Sequence, residues 1–233
     1  MAHAIETSAE IYLAPVRPRS KRIGVVREWV KVSQFLAWPI VFIVFNIFFK
    51  IDIRGRHNLE QLENPTLFIS NHIAFYDSFL FRLIIGSYGH LLPLCFMAVR
   101  NFKSKTLNTL KAVGIIDLIY SLFGAFTIVP GQGIEAGISG ARNIIRDGGN
   151  VVIYPEGEMI TDGVVGPFKR GAAVLARQTG VTVLPLSFRK GSRMLIRRKI
   201  DINIGEPIVV DSRISDIDLT ARFRDVVVRL MEE

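Results

Sequence analysis

His72 and Asp77 lie five positions apart, and an imidazole and a carboxylate at that spacing can form a general base. The imidazole accepts a proton near neutral pH. A carboxylate in hydrogen-bond reach fixes its tautomer and stabilises the imidazolium that results. The pair sits in the stretch Thr66 to Ser78, which opens as an apolar run, turns polar at Ser70 and Asn71, and reaches His72 next. A second apolar run, Phe79 to Ile85, follows and has the character of a helix. This order predicts His72 in the loop leaving a strand and Asp77 near the start of a helix, where α/β folds build ligand sites. Each residue also has a plainer use: a structural histidine, and an N-cap Asp accepting from first-turn N–H groups.

A second polar tip follows an apolar strand at Val151-Val152-Ile153-Tyr154-Pro155-Glu156-Gly157-Glu158. Glu156 at the strand end is placed to touch a ligand. Gly157 permits close backbone approach or an unusual φ. Further on, Gly166-Pro167-Phe168-Lys169-Arg170-Gly171 sets two cations at a loop-to-helix junction. Cations and a helix N-terminus together favour an anion such as phosphate, although solvated charge is the simpler reading of Lys169 and Arg170 alone.

The elements that must position these residues read as one α/β domain. At 233 residues the chain is long enough for a sizeable core. Strand-like segments are expected at Ile51–Gly55, Thr66–Ile69, Leu94–Ala98, Phe126–Val129, Asn150–Tyr154, Val181–Phe188 and Lys199–Ile204. Pro185 makes the sixth an edge strand or a bulged one. Helices are expected at Phe79–Ile85, Ser104–Val113, Ile134–Ile145 with Gly148 as a stop, Phe168–Gln178, and a last one carrying Leu219, Phe223, Val226 and Leu230. Strand mostly alternates with helix, which predicts a mixed, largely parallel sheet flanked by helices.

Composition adds a membrane. Hydrophobic residues make up 49% of the chain and the net charge is +8, with a mean hydropathy of +0.33 and a pI near 9.9. Such a balance suits nucleic acid or an anionic bilayer, and no zinc-finger spacing or aromatic RNA-binding signature favours the former. Phe35 to Phe49 is apolar except for Asn46, contains Trp38 and Pro39, and follows six cations between Arg17 and Lys31. Residues 1–50 therefore read as a basic segment with a membrane-associated hydrophobic helix, and 51–233 as the globular domain. Fifteen apolar residues fall short of the ~20 that a span needs, so a helix lying in the interface fits best. A buried core helix and a tilted span starting near Val25 stay open. Residues 1–16 read as weakly structured. The one cysteine, Cys95, excludes an intramolecular disulfide and reads as a buried thiol.

Taken together these blocks resemble the glycerolipid acyltransferases, the 1-acylglycerol-3-phosphate acyltransferase group. Asn71-His72 with Asp77 matches its His-x4-Asp signature, Tyr154-Pro155-Glu156-Gly157 its (Phe/Tyr)-Pro-Glu-Gly block, and Pro167-Phe168-Lys169 with Gly171 its Phe-Lys-x-Gly segment. Val183-Leu184-Pro185-Leu186 matches its proline-containing fourth block. The resemblance implies acyl transfer from acyl-CoA or acyl-carrier protein to a lysolipid hydroxyl at the cytoplasmic face of the membrane. It implies His72 as base, Asp77 as its orienting acid, and Asn71, Glu156, Gly157, Lys169 and Arg170 around the acceptor. It implies no metal or cofactor, membrane lipids as partners, and no nucleic acid. Two departures stand out: Glu158-Met159 replaces the family's Thr-Arg, and Pro130 stands where an Arg usually follows the strand. Both arginines would bind phosphate by charge-assisted bonds of roughly 1.5–3 kcal/mol each. Arg142, Lys169 or Arg170 are the alternative cations, and a non-phosphate acceptor is the alternative substrate. A non-catalytic lipid-binding protein of the same fold is the competing reading.

Overall fold

In the computed structural model, residues 21–86, 88–99, 105–128, 131, 133–194, 197–211 and 213–233 are described. The readings on residues 1–16, on Arg17 and Arg19, and on Pro130 lie outside them. Seven strands form one sheet in the order β1-β7-β6-β2-β5-β3-β4. They are β1 (Phe49–Arg54), β2 (Thr66–Ser70), β3 (Leu94–Val99), β4 (Ala125–Ile128), β5 (Asn150–Ile153), β6 (Thr182–Met194) and β7 (Arg197–Ile204). β6, β2, β5, β3 and β4 run parallel. β7 turns back antiparallel to β6 and carries β1 parallel to itself at the edge. The fold is thus a single α/β domain with a mixed, mostly parallel sheet.

The parallel strands are buried on both faces, as crossover helices require. In β2, Phe68 points into one core with Val152 and Leu184, whereas Leu67 and Ile69 point into the other with Val151 and Val183. The first core is closed by α1 (Lys21–Phe48) and α2 (Asp77–Ile85), the second by α5 (Ile134–Arg146), α6 (Gly171–Thr179) and α7 (Asp216–Glu232). α5 buries Ile138, Ala141 and Ile145 at helical spacing. Gly148, at φ 75, supplies the left-handed backbone that ends it. Ser215 caps α7 by accepting the Asp218 backbone N–H at 3.1 Å.

Four expectations need correction. The N-terminal helix is 28 residues long, not fifteen, and passes into β1 without a loop. Its packed side combines Val30, Val41 and Phe45 with one polar residue, Gln34. Gln34 is buried, donates to the Leu94 and Phe123 carbonyls and accepts the Leu94 N–H. Arg82 of α2 donates to the Gln34 carbonyl at 2.9 Å, and burial lowers its pKa to about 10. The opposite side is apolar too and faces outward, exposing Phe35, Leu36, Ile40 and Ile43. Second, α4 (Ile115–Phe123) was not expected; it follows α3 (Lys105–Ala112) across Gly114. Third, α6 starts at Gly171, three residues after Phe168.

Fourth, β6 is internal despite Pro185. Val183 exchanges hydrogen bonds with Ile208 on the β7 side, and Pro185, two residues on, faces the same side. The β6–β7 ladder begins only at Leu186–Ile204, so the missing N–H of Pro185 leaves no rung empty. The bulge in this strand falls later, between Lys190 and Arg193.

Candidate active site

The carboxyl end of β2 is where the site is built. At Asn71 the strand has ended, yet its amide continues the ladder: Nδ2 donates to the Phe188 carbonyl and Oδ1 accepts the Phe188 N–H, both at 2.8 Å. The chain then turns at His72. His72 Nδ1 lies 2.8 Å from Asp77 Oδ2. The same oxygen accepts the N–H groups of Ile73 and Ala74 at 2.7 and 2.9 Å. Asp77 thus folds the 72–77 loop around its own side chain while holding the imidazole.

This arrangement fixes the tautomer. A carboxylate oxygen only accepts, so Nδ1 carries the proton and Nε2 keeps its lone pair. Asp77 is fully buried, and its Oδ1 has no hydrogen-bond partner among the described residues. The His72 side chain keeps 23% exposure, enough for Nε2 to meet a substrate. Tyr154 lies flat against the other face of the ring, with centroids 4.2 Å apart and planes at 16°. Burial, then the Asp77 charge, pushes the Tyr154 phenol well above its ordinary pKa, so it stays neutral.

The tip after β5 closes the site from the other side. Glu156 accepts the His72 backbone N–H at 2.7 Å with Oε2 and the Gly166 N–H at 2.8 Å with Oε1. Burial raises its pKa, against the lowering effect of those two N–H groups and of His72. The His72 carbonyl accepts from Ile160 N–H at 2.8 Å. Gly157 adopts φ +70, and a Cβ there would collide with the Lys169 side chain at Nζ. The glycine is needed twice, for its backbone and to let the lysine lie over it. Lys169 and Arg170 are exposed at the start of α6.

The expected residues therefore divide. His72 and Asp77 meet. Gly157 and Lys169 meet beside them. Asn71 and Glu156 lie next to the histidine, both buried, with their polar atoms engaged with backbone groups. Arg142 is drawn away, paired with Glu135 at 2.7 Å and with Gln178 at the far end of α6. Two neighbours escaped the sequence reading. Tyr154 gave its signal in the Tyr-Pro-Glu-Gly block, but its stacking depends on pairing β5 with β2. Lys190 donates to the Ile73 carbonyl at 2.6 Å. No cluster of three or more His, Cys, Asp or Glu suited to a metal occurs among the described residues.

Comparison with known proteins agrees with this architecture. A family model described as Acyltransferase matches residues 50–189. A chloroplastic 1-acyl-sn-glycerol-3-phosphate acyltransferase of Brassica napus is 29% identical over 160 residues, 67% of this chain and 42% of that protein. A 1-acyl-sn-glycerol-3-phosphate acyltransferase of Pseudomonas aeruginosa is 28% identical over 181 residues, 77% of this chain and 63% of that protein. The chain thus spans less than two thirds of the length of either relative. The crystal structure of the 1-acyl-sn-glycerophosphate (LPA) acyltransferase, PlsC, from Thermotoga maritima shares the fold. Its TM-score is 0.60 at 21% identity, over 92% of this chain and 82% of that one.

Proposed function

The chain belongs to the acyltransferase family, and from that premise we propose that it moves a fatty acyl chain from a thioester to a lysophospholipid hydroxyl. The donor is acyl-CoA or acyl-carrier protein, and the acceptor resembles 1-acylglycerol-3-phosphate. The observation that carries this reading is the His72 Nδ1–Asp77 Oδ2 contact of 2.8 Å, which leaves Nε2 free to act. Nε2 takes the hydroxyl proton as the alkoxide oxygen bonds to the thioester carbonyl carbon. The tetrahedral intermediate collapses, the C–S bond breaks, and the imidazolium returns the proton to the departing thiolate. Asp77 stabilises the imidazolium between these steps. No cofactor takes part in this route. Asn71, Glu156 and Tyr154 keep the histidine in place.

Lys169, held over Gly157, is the proposed phosphate contact, with Arg170 beside it. Glu158, exposed where the family commonly carries Thr-Arg, favours a second reading in which the acceptor head group is neutral or cationic. Turnover with lysophosphatidic acid against a neutral lysolipid decides between them, with each thioester donor tested in turn. Loss of transfer in His72→Ala, by roughly 10²- to 10⁴-fold, is the expected result; undiminished transfer overturns the proposal.

The proposed location is the cytoplasmic surface of a membrane, with residues 1–50 as the anchoring segment and 51–233 as the catalytic domain. Glu28–Phe48, 21 residues, is long and apolar enough to cross a bilayer. Its packing supports an in-plane helix instead. Near one end Ser33 donates to the Leu122 carbonyl at 2.6 Å. Near the other, Arg197 donates to the Asn46 and Phe49 carbonyls. These ties are ~20 Å apart along the axis, so a spanning α1 would draw the polar domain into the lipid. Lying flat, it offers the bilayer its outer apolar side.

A further inference from the structure

Resting on that location, we infer that α4 is a second lipid-inserting element, and that it sets which way the active-site loop faces. A single helix lying in the interface leaves the attached domain free to roll about the helix axis. A second apolar contact off that axis removes this freedom.

α4 has the right character for it. Its inner side buries Ile116, sets Phe123 edge-on to Phe79 of α2 at 5.0 Å, and receives the Ser33 hydroxyl on the Leu122 carbonyl. Its outer side exposes Ile115, Leu118 and Ile119, with Val113 just ahead of the helix; Leu118 is 59% exposed. A helix facing water carries charge there, whereas the charged side chain in α4 is Asp117 alone. Where α4 meets α1, the neighbouring outer residues are Trp29, Val32, Phe35 and Leu36, all exposed. The two helices, far apart in sequence, are tied together through Ser33 and Leu122, and both expose apolar side chains of the kind that mark an interaction surface.

Charge identifies what covers it. Lys31 and Lys50, on α1 and just past its end, and Arg198 of β7 are exposed, in a chain of net charge +8. An apolar surface with cations about it matches a bilayer of anionic phospholipid. The active-site loop joins the same surface. Phe75, between His72 and Asp77, is 77% exposed. Its ring abuts Tyr76, which packs on Phe45 and Phe49 at the end of α1. With α1 and α4 both seated, Phe75 is turned toward the lipid from which an acceptor arrives.

The test uses the full chain with a single added cysteine at Leu118, Ile43 or Ile217, each carrying an environment-sensitive probe; Cys95 is buried and resists labelling. Ile217, 65% exposed on α7, is the control from the opposite face. Probes are read with vesicles of phosphatidylcholine and phosphatidylglycerol. Lipid-quenched emission at 118 and 43, with 217 unchanged, supports the inference. So does a vesicle partition coefficient lowered about tenfold by Leu118→Glu, as loss of one inserted Leu implies, in a variant whose melting temperature holds. A lipid signal at 43 without one at 118 overturns the role of α4 and leaves the reading of α1 standing. No lipid signal at either site overturns both. A probe at 118 already shielded without vesicles, in a chain that light scattering shows to be dimeric, makes this face a contact between copies and overturns the inference.

Discussion

The Glu156 carboxylate bridges two backbone N–H groups, that of His72 at 2.7 Å and that of Gly166 at 2.8 Å. One side chain thereby ties the loop after β2 to the segment before α6. Glu156→Gln is expected to lower kcat, because an amide presents one acceptor where two are needed. The effect should fall on kcat more than on KM, since Glu156 is 3% exposed and both its oxygens are taken by backbone N–H groups. Steady-state kinetics at saturating acceptor check this.

The same group predicts a pH effect. Burial holds the folded-state pKa of Glu156 above the ordinary 4.5, so the folded chain binds this proton more tightly than the unfolded chain. Its contribution to stability is present below 4.5 and is lost as pH rises through the folded-state value. Thermal unfolding from about pH 4 to about pH 8 should therefore show wild type losing ground to Glu156→Gln as pH rises. A gap constant with pH contradicts the assignment.

Asp77→Asn keeps the shape of the side chain but removes its charge and lets a donor face Nδ1. Activity is expected to fall about 10²- to 10⁴-fold, as for His72→Ala. Stability should also drop by roughly 1.5–3 kcal/mol, because Oδ2 receives two backbone N–H groups as a charged acceptor. His72→Ala should spare that stability. Paired melting and turnover measurements separate the two roles.

Tyr154 contributes its ring face to His72. Tyr154→Phe keeps the stack and gives up a 3.4 Å contact with Ser78, so activity should stay within about threefold. Tyr154→Ala removes an aromatic contact of about 0.5–1.5 kcal/mol and leaves a void beside the imidazole. Its kcat should fall further than that of the Phe variant.

Gly157→Ala places a methyl against Lys169 Nζ in backbone of φ +70. The expected cost is about 1 kcal/mol or more in stability, with a raised KM for a phosphate acceptor as Lys169 is displaced. Adding Lys169→Ala should relieve the clash but leave the backbone strain. The double variant is thus expected to regain stability in part and affinity not at all.

Much of the fold was legible because burial enforces periodicity. Ile138, Ala141 and Ile145 in α5 report one buried face, and the unbroken run Leu67-Phe68-Ile69 in β2 reports a strand buried on both. What sequence misread was decided by partners far along the chain. Gln34 precedes the apolar run and finds its use only when the Leu94 and Phe123 backbones arrive at its amide. α4 carries Asp117 and Ser121 at i, i+4 spacing in an otherwise mostly apolar segment, with Ile115, Leu118 and Ile119 exposed. Glu156 looks ligand-facing at the end of its strand, yet its main partner is 84 residues away. Pairing His72 with Asp77 needed only a five-residue loop, and local spacing was enough to foresee it.

Asn71 has a consequence for timing. Because its amide supplies one more rung opposite Phe188, β2 is splinted beyond its last peptide, and the turn into His72 leaves from rigid ground. In the proposed reaction an arriving alcohol would find the imidazole already aimed, with little ordering of the loop left for the moment of binding.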